Sequence, residues 1–320
     1  MAAPLRWGII STGRIAHTFV SDLAFSGRHS VVAVGSRSLE SATAFADTYG
    51  IANRHGSYAD LVRDPEVDVV YVGTPHPMHF DDAMLAVEHG KSVLVEKAFT
   101  MNADEARRLV AFARERGLFM MEAMWTRFLP HVVEIRRLLA EGVLGDIINV
   151  EADHGKWFEL DPNFRLFALA LGGGAVLDLG VYPISFASMV LGPPERVTAM
   201  ADPAFTGVDG QVSMIFGYVS GAQAILTCTS GARTPTRASI SGTLARIEIA
   251  GDFYAPTSFS LIDRSGETQR FEFETHGRGL HYEADEVARC LEAGLTESPF
   301  MPLDETVSIM ETMDQVQAFL

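Results

Sequence analysis

Short apolar, β-branched runs alternate with helix-period stretches through the first 124 residues of this chain. Leu5 to Ser11 reads as a strand, Thr12-Gly13-Arg14 as a turn, and the pattern then becomes helical to about Phe25. Ser30 to Ser36 is a second strand, and Ser38 is placed to cap a helix ending near Tyr49-Gly50. Val67 to Gly73 is a third apolar run, closed by Thr74-Pro75-His76-Pro77-Met78-His79 and followed by a helical pattern to His89-Gly90. Val93 to Thr100 is again strand-like and delivers Glu96 and Lys97 toward its carboxyl end. Asn102-Ala103-Asp104-Glu105 is a capping-box variant opening a helix that stops at Arg116-Gly117, and Leu118 to Met124 makes a further strand. So many βα alternations predict an α/β domain over residues 1–124, a doubly wound parallel sheet of the Rossmann type.

The remaining residues, 125–320, carry a different pattern. After a helix from about Pro130 to Glu141 come a strand over Asp146 to Asp153, a Phe-rich loop and one helix. A series of strands follows, around Arg196 to Met200, Gln211 to Val219, Ala222 to Thr229, Arg237 to Ser241, Ala245 to Ile249, Ser258 to Asp263 and Gln269 to Phe273. Helices return at Leu280 to Glu292 and Leu303 to Phe319. This predicts an α+β domain on an open, mostly antiparallel sheet.

Composition narrows the class. A chain of 320 residues, 48% apolar and 21% charged, suits two domains with a large core. A formal charge of -16, with no cluster of Lys and Arg, argues against nucleic acid or anionic lipid as partner. The two cysteines, Cys228 and Cys290, lack partners at metal-ligand spacing, so neither a metal site nor a disulfide framework is expected. The N-terminus lacks a signal-peptide pattern, and no apolar run reads as long enough to span a bilayer. A cytoplasmic protein with no membrane contact follows as the expectation.

The candidate chemistry gathers where strands end. In an open parallel sheet ligands bind beyond the carboxyl ends of the strands, so Lys97 should face ligand, polarising a substrate oxygen and lowering the pKa of a neighbouring acid. The first turn matches the dinucleotide fingerprint at Gly13 and Ala16, with Ser11 in place of the leading glycine. Ser11, Thr12, Gly13, Arg14 and Ile15 are the candidate phosphate turn. The second strand ends Gly35-Ser36-Arg37-Ser38 with no acid at its tip. Arg37 is therefore expected to pair with a 2′-phosphate, with Ser36 and Ser38 donating hydrogen bonds, which favours NADP over NAD. Thr74, Pro75, His76 and His79 are candidates for cofactor contact, as is Glu96. Spacing of three without acidic partners makes a metal role for the two histidines a poor reading.

Met120, Met121 and Met124 read as core, while Trp125, Arg127 and Phe128 follow a strand end and are placed to line a pocket. Gly172-Gly173-Gly174 allows close backbone approach before a helix carrying Asp178 and Tyr182, four residues apart and hence on one face. Asp178 could equally cap that helix. A phenol ionises near pH 10, and a nearby ammonium favours the phenolate and brings it into useful range.

Together, Gly8 to Ala16, Thr74-Pro75 to His79, Glu96-Lys97, Met121 to Phe128 and Gly172 to Tyr182 resemble the glucose-fructose oxidoreductase and inositol dehydrogenase family, within it the branch of dimeric dihydrodiol dehydrogenases and NADP-dependent D-xylose dehydrogenases. The resemblance covers nearly the whole chain. It implies that Lys97 matches the lysine of the family's Glu-Lys-Pro motif and that Tyr182 stands where many members have a catalytic histidine. It also implies a C-terminal sheet that often forms the subunit interface, hence a homodimer or higher homo-oligomer. Ala98 replaces the usual proline, and the Lys97-Ala98 peptide is expected to be trans. Ser185 stands where histidine-bearing members have an aspartate, which favours the tyrosine branch.

The implied activity is hydride transfer between nicotinamide and a CH-OH carbon of an aldose, such as D-xylose, or of a trans-dihydrodiol. Tyr182, Lys97 and Asp178 are the expected catalytic group, and Trp125, Arg127, Phe158, Phe164, Arg165 and Asp178 are the expected substrate contacts. Two other readings stay open at this stage, a glycosidase using transient oxidation by NAD and a non-catalytic NADP-binding sensor.

Overall fold

The computed structural model describes residues 3–319. The first stretch runs β1 (Leu5–Ile10), α1 (Arg14–Leu23), β2 (His29–Gly35), α2 (Leu39–Tyr49), β3 (Asn53–His55), α3 (Tyr58–Val62), β4 (Val69–Val72), α4 (His79–Glu88), β5 (Ser92–Glu96), α5 (Ala103–Arg116) and β6 (Met120–Ala123). The second runs α6 (Pro130–Ala140), β7 (Ile147–Gly155), α7 (Val181–Leu191), β8 (Arg196–Pro203), β9 (Asp209–Gly217), β10 (Gln223–Thr229), β11 (Ala238–Gly242), β12 (Ala245–Ile249), β13 (Phe259–Asp263) and β14 (Thr268–Phe271). Helices α8 (His281–Glu292) and α9 (Leu303–Gln317) complete the chain.

Two compact units result, and each is discontinuous in sequence. The first comprises Met1–Phe128 with His276–Thr306, and the second Leu129–Thr275 with Val307–Leu320. The segment carrying α8 therefore belongs to the first unit, although it follows the whole sheet of the second. Its start is held by Asp22 of α1, whose carboxylate accepts the backbone N–H groups of Arg278 and Leu280 at 2.9 Å. Only tertiary contact could reveal this return.

The first unit holds a parallel sheet in the order β3-β2-β1-β4-β5-β6. Central strands β4 and β5 are buried along their whole length, as a sheet covered on both faces requires, and this explains their unbroken apolar runs. Helix ends follow local chemistry. Ser38, Ser57 and Asn102 each accept a backbone N–H as N-cap, and Gly50 and Gly117 close their helices in the left-handed conformation. The sequence reading omitted β3 and α3, because elements of three and five residues offer too few positions for a period to register.

The second unit is built on an eight-stranded sheet in the order β14-β13-β12-β11-β7-β10-β9-β8. All neighbours are antiparallel except β7 and β10. Along β9 and β10, Val212, Met214, Phe216, Ala224, Leu226 and Cys228 point into the core, where α7 packs. The opposite face presents Ile215 directly across from Ile225.

One expectation needs correction. By length and composition the helical stretch Leu169–Leu191 is apolar enough to cross a bilayer. Its most apolar window is 78% buried inside the protein, as in a core helix of a globular domain.

Candidate active site

The strand order places β1 beside β4 at the topological switch point, where sheets of this kind take ligands beyond the carboxyl ends of their strands. Ser11 follows β1 with φ at 102°, a left-handed conformation unusual for a residue with a side chain. Its backbone N–H donates to the Gly35 carbonyl at 3.1 Å, and its Oγ accepts the Gly13 N–H at 3.1 Å. Gly13 is the N-cap of α1 and brings no side-chain cap, and no acid occupies the first helical turn. A Cβ on Gly13 would enter this turn 3.2 Å from Ser11 Oγ. Thr12 and Ile15 are half-buried here, whereas Gly13 and Arg14 are exposed. An open helix N-terminus with bare backbone donors fits the pyrophosphate of a dinucleotide.

At the end of β2, Ser36 is buried while Arg37 and Ser38 face solvent. Ser38 Oγ accepts the Ser41 N–H as cap of α2, which leaves its hydroxyl proton free to donate. Burial pushes the Asp82 carboxyl up to about 6, and the hydrogen bond from Thr74 Oγ1, at 2.8 Å, and the Arg37 charge work against that rise.

His79 ties the next two strand ends together. Wholly buried, it sets one ring nitrogen 2.8 Å from the Thr74 carbonyl and the other 2.8 Å from that of Ala98. Burial lowers its pKa, and a neutral ring donates to one of these two carbonyls at a time. His76 is buried with its ring edge toward His79, and Pro75 is exposed. Glu96 turns inward at the end of β5. Its Oε1 accepts the Tyr71 hydroxyl and its Oε2 the Lys97 N–H. Half-buried Lys97 follows it.

The Lys97-Ala98 peptide is cis, which corrects the expectation of a trans bond. Local preference alone favours trans; here Ala98 is buried and its carbonyl is fixed by His79, so the tertiary setting decides. The strand also ends at Glu96 rather than continuing to Thr100.

Trp125 and Arg127 lie in the first unit, both buried. The Arg127 guanidinium is 2.7 Å from Glu305, so its charge is committed to an ion pair. Below it Glu122 is completely buried, and burial lifts its carboxyl to about 7 despite the opposing charge of Arg127. Glu283 of α8 is buried near it and also raised, by burial and by the neighbouring Glu96, Asp22 and Glu122.

The second unit holds the other candidates. The segment Val176–Gly180 winds as a π-helix before α7 begins, which corrects the picture of one regular α-helix carrying Asp178 and Tyr182. Buried Asp178 pairs with Arg165 at 2.9 Å, while Tyr182 packs against His154 and Tyr254, with ring centroids at 5.1 and 4.9 Å. His154 stacks on Tyr254 at 4.4 Å and its Nδ1 donates to the Leu179 carbonyl at 3.1 Å. Lys156 sets its ammonium 4.7 Å from the Tyr254 ring centre. Phe158 and Phe164 are half-buried ring neighbours on the loop that carries Arg165.

His154, Lys156 and Tyr254 escaped the sequence reading. About a hundred positions separate Tyr254 from His154, and nothing local marks either one. The His-Gly-Lys run after a strand was the only available hint.

A 3-2-1-4-5-6 parallel sheet with an open, glycine-capped helix at its switch point defines the class of nicotinamide-dinucleotide oxidoreductases. Residues 5–124 match the oxidoreductase family with NAD-binding Rossmann fold, and residues 132–248 match the GFO/IDH/MocA C-terminal domain. The chain belongs to the GFO/IDH/MocA oxidoreductase family, and it is an NAD(P)-dependent dehydrogenase.

It is 41% identical to the trans-1,2-dihydrobenzene-1,2-diol dehydrogenase of Bos taurus, over 98% of this chain and 96% of the relative. To that of Homo sapiens it is 38% identical, again over 98% and 96%. Among solved structures, a 3-ketoreductase from Actinomadura kijaniata in complex with NADP and TDP-benzene is 27% identical, with a TM-score of 0.87 and coverage of 98% and 97%. An aldose-aldose oxidoreductase from Caulobacter crescentus, at 22% identity and a TM-score of 0.89 over 99% and 97%, shares the fold.

Proposed function

We propose that this dehydrogenase oxidises a CH-OH carbon of a trans-dihydrodiol or of an aldose such as D-xylose, with NADP in preference to NAD. The observation that carries this reading is the presence of Lys97 and Tyr182 in a chain related over nearly its whole length to dehydrogenases named for a trans-diol. NADP, when bound, supplies the acceptor for the hydride that leaves the alcohol carbon. The chain's own residues handle position and proton. The Gly13 turn and the start of α1 hold the pyrophosphate, and Arg37, with Ser36 and Ser38, reads the 2′-phosphate. Tyr182 takes the hydroxyl proton, and the Lys97 ammonium favours its phenolate and orients the substrate oxygen. Asp178, with Arg165 on it, and the Phe158 and Phe164 rings complete the substrate contacts.

In this reading residues 1–124 bind the dinucleotide, and residues 125–320 bind substrate and make the subunit contact. A homodimer through the outer face of the eight-stranded sheet is supported by Ile215 and Ile225, paired across strands and 52% and 44% exposed, and by Met200 at 72%. Two free, buried cysteines support a reducing cytoplasm.

The deciding experiment supplies NADP with a panel of trans-dihydrodiols, aldoses and polyols and follows NADPH by absorbance. NADPH accumulating in step with a trans-dihydrodiol or aldose is expected. Released sugar with no net cofactor change, or tight NADP binding with no turnover of any compound, overturns the reading. In parallel, light scattering should give a dimer that Ile225→Lys converts to monomer; a monomeric wild type removes the sheet from assembly.

A further inference from the structure

Asp209 opens β9, immediately after the tight 204–208 connection from β8. Nothing in the local sequence marks it as functional. Its carboxylate nevertheless reaches the start of the segment that carries Asp178 and Tyr182, 33 residues earlier in the chain. Oδ2 accepts the backbone N–H of Val176 at 2.6 Å. The N–H of Ala175 is a further donor to the same carboxylate. Helical segments leave their first backbone N–H groups without internal partners, and the segment beginning at Val176 has no side-chain cap of its own. Asp209 supplies that cap from another strand, and Asp178, though suitably near, turns to Arg165 instead.

The preceding glycine is shaped to the same contact. Gly174 has φ at 132°, which a side chain rarely tolerates, and a Cβ there would lie 2.1 Å from Asp209 Oδ1. The glycine run thus admits a carboxylate rather than merely loosening the chain. Asp209 is itself held by its surroundings. The Gly210 carbonyl next to it accepts the Ser230 N–H at 2.8 Å and its hydroxyl at 3.2 Å, and the Val208 carbonyl accepts the Ala204 N–H at 2.7 Å. A fixed strand end therefore sets where the π-helical turn begins, and that turn sets the direction of Asp178 and Tyr182.

We propose that Asp209 is a positioning residue for the dehydrogenase reaction, fixing the Val176–Gly180 turn and through it the acid-base tyrosine that it does not touch. The proposal rests on the reading of Tyr182 given above. An ångström-scale misplacement of a reacting group costs up to about 10²-fold in rate. Asp209→Ala should therefore lower kcat by roughly 10- to 100-fold while NADP affinity stays within about 2-fold. Hydrogen exchange at the 175–178 amides should accelerate in the same variant. Asp209→Asn keeps an oxygen for the Val176 N–H and should recover most of the lost kcat.

Tyr182→Phe runs alongside to separate the two claims. If Asp209→Ala is folded and keeps its kcat while Tyr182→Phe is inactive, Asp209 is not a positioning residue and the reading of Tyr182 survives. If Tyr182→Phe keeps its activity, the reading fails and the proposal with it. Should the alanine variant not fold, Asp209→Ser, whose shorter side chain withdraws from the Val176 N–H, decides. Faster exchange at 175–178 with lowered kcat and unchanged NADP affinity supports the proposal, and wild-type values in all three overturn it.

Discussion

The carboxyl edge of the parallel sheet and the start of the 176–191 helical segment are both candidate sites, yet they are assembled in opposite ways. Along the sheet edge each candidate sits within a few residues of a strand end, and the fold gathers them because all six strands run the same way. Ser11, Arg37, Thr74 and Lys97 arrive there as neighbours by topology alone. Along that segment the neighbours come from β7, from the 250–258 connection and from the start of β9, with His154 and Tyr254 against Tyr182 and Asp209 at Val176. The first is the proposed binding edge, set by chain direction, and the second the proposed proton-handling centre, set by long-range packing. Binding and chemistry should accordingly be separable by mutation.

The sharpest break falls on the tyrosine. Tyr182→Phe should leave folding and NADP affinity intact and lower kcat by about 10²- to 10⁴-fold, the loss expected for a positioned acid-base group. Lys97→Met should do similar damage. Because both groups act on one proton, the double variant should be little worse than either single one, and steady-state kinetics that multiply the two losses would show that they work independently.

Below the sheet edge, the buried acids of the first unit give a pH signature of their own. Glu122 rises from the usual carboxyl range to about 7 because it is buried, with Arg127 opposing, and with Glu305 and Glu283 also near it. Between pH 4.5 and 7 the folded chain holds this proton and the unfolded chain has lost it, so stability falls as pH rises through that window and levels off above it. Glu122→Gln removes the ionisation and should flatten that fall, gaining up to roughly 3 kcal/mol by pH 8. Thermal melts at pH 5, 6, 7 and 8 check it, and parallel curves for variant and wild type would count against a proton held at Glu122.

The smallest effect expected is at the cofactor's far end. A charge-assisted hydrogen bond is worth about 1.5 to 3 kcal/mol, so Arg37→Ala should weaken NADP by roughly one to two orders of magnitude. NAD affinity should change little, and the salt dependence of NADP binding should flatten. Calorimetric titrations with both cofactors decide this, and equal losses for the two would remove Arg37 as the reader of the 2′-phosphate.

What could be read in advance follows the same division. Periodicity and caps determined β1, α1, β2, α2, β4, α4, β5, α5 and β6, and with them the doubly wound parallel class, because a strand or helix is specified by residues within a few positions of one another. The Gly13 turn, the missing acid beside Arg37 and the delivery of Lys97 to a strand end were legible for that reason. The strands of the second unit also showed in their alternation. Tertiary structure alone decided the rest. It returned α8 to the first unit through Asp22, turned Glu96 inward onto Tyr71 and committed Arg127 to Glu305. It also set the Lys97-Ala98 peptide cis, began the Tyr182 segment with a π-helical turn and brought Asp209 to cap it. Each of these depends on a partner tens or hundreds of residues away, whose position is fixed only when the apolar faces of the sheets and helices close on one another.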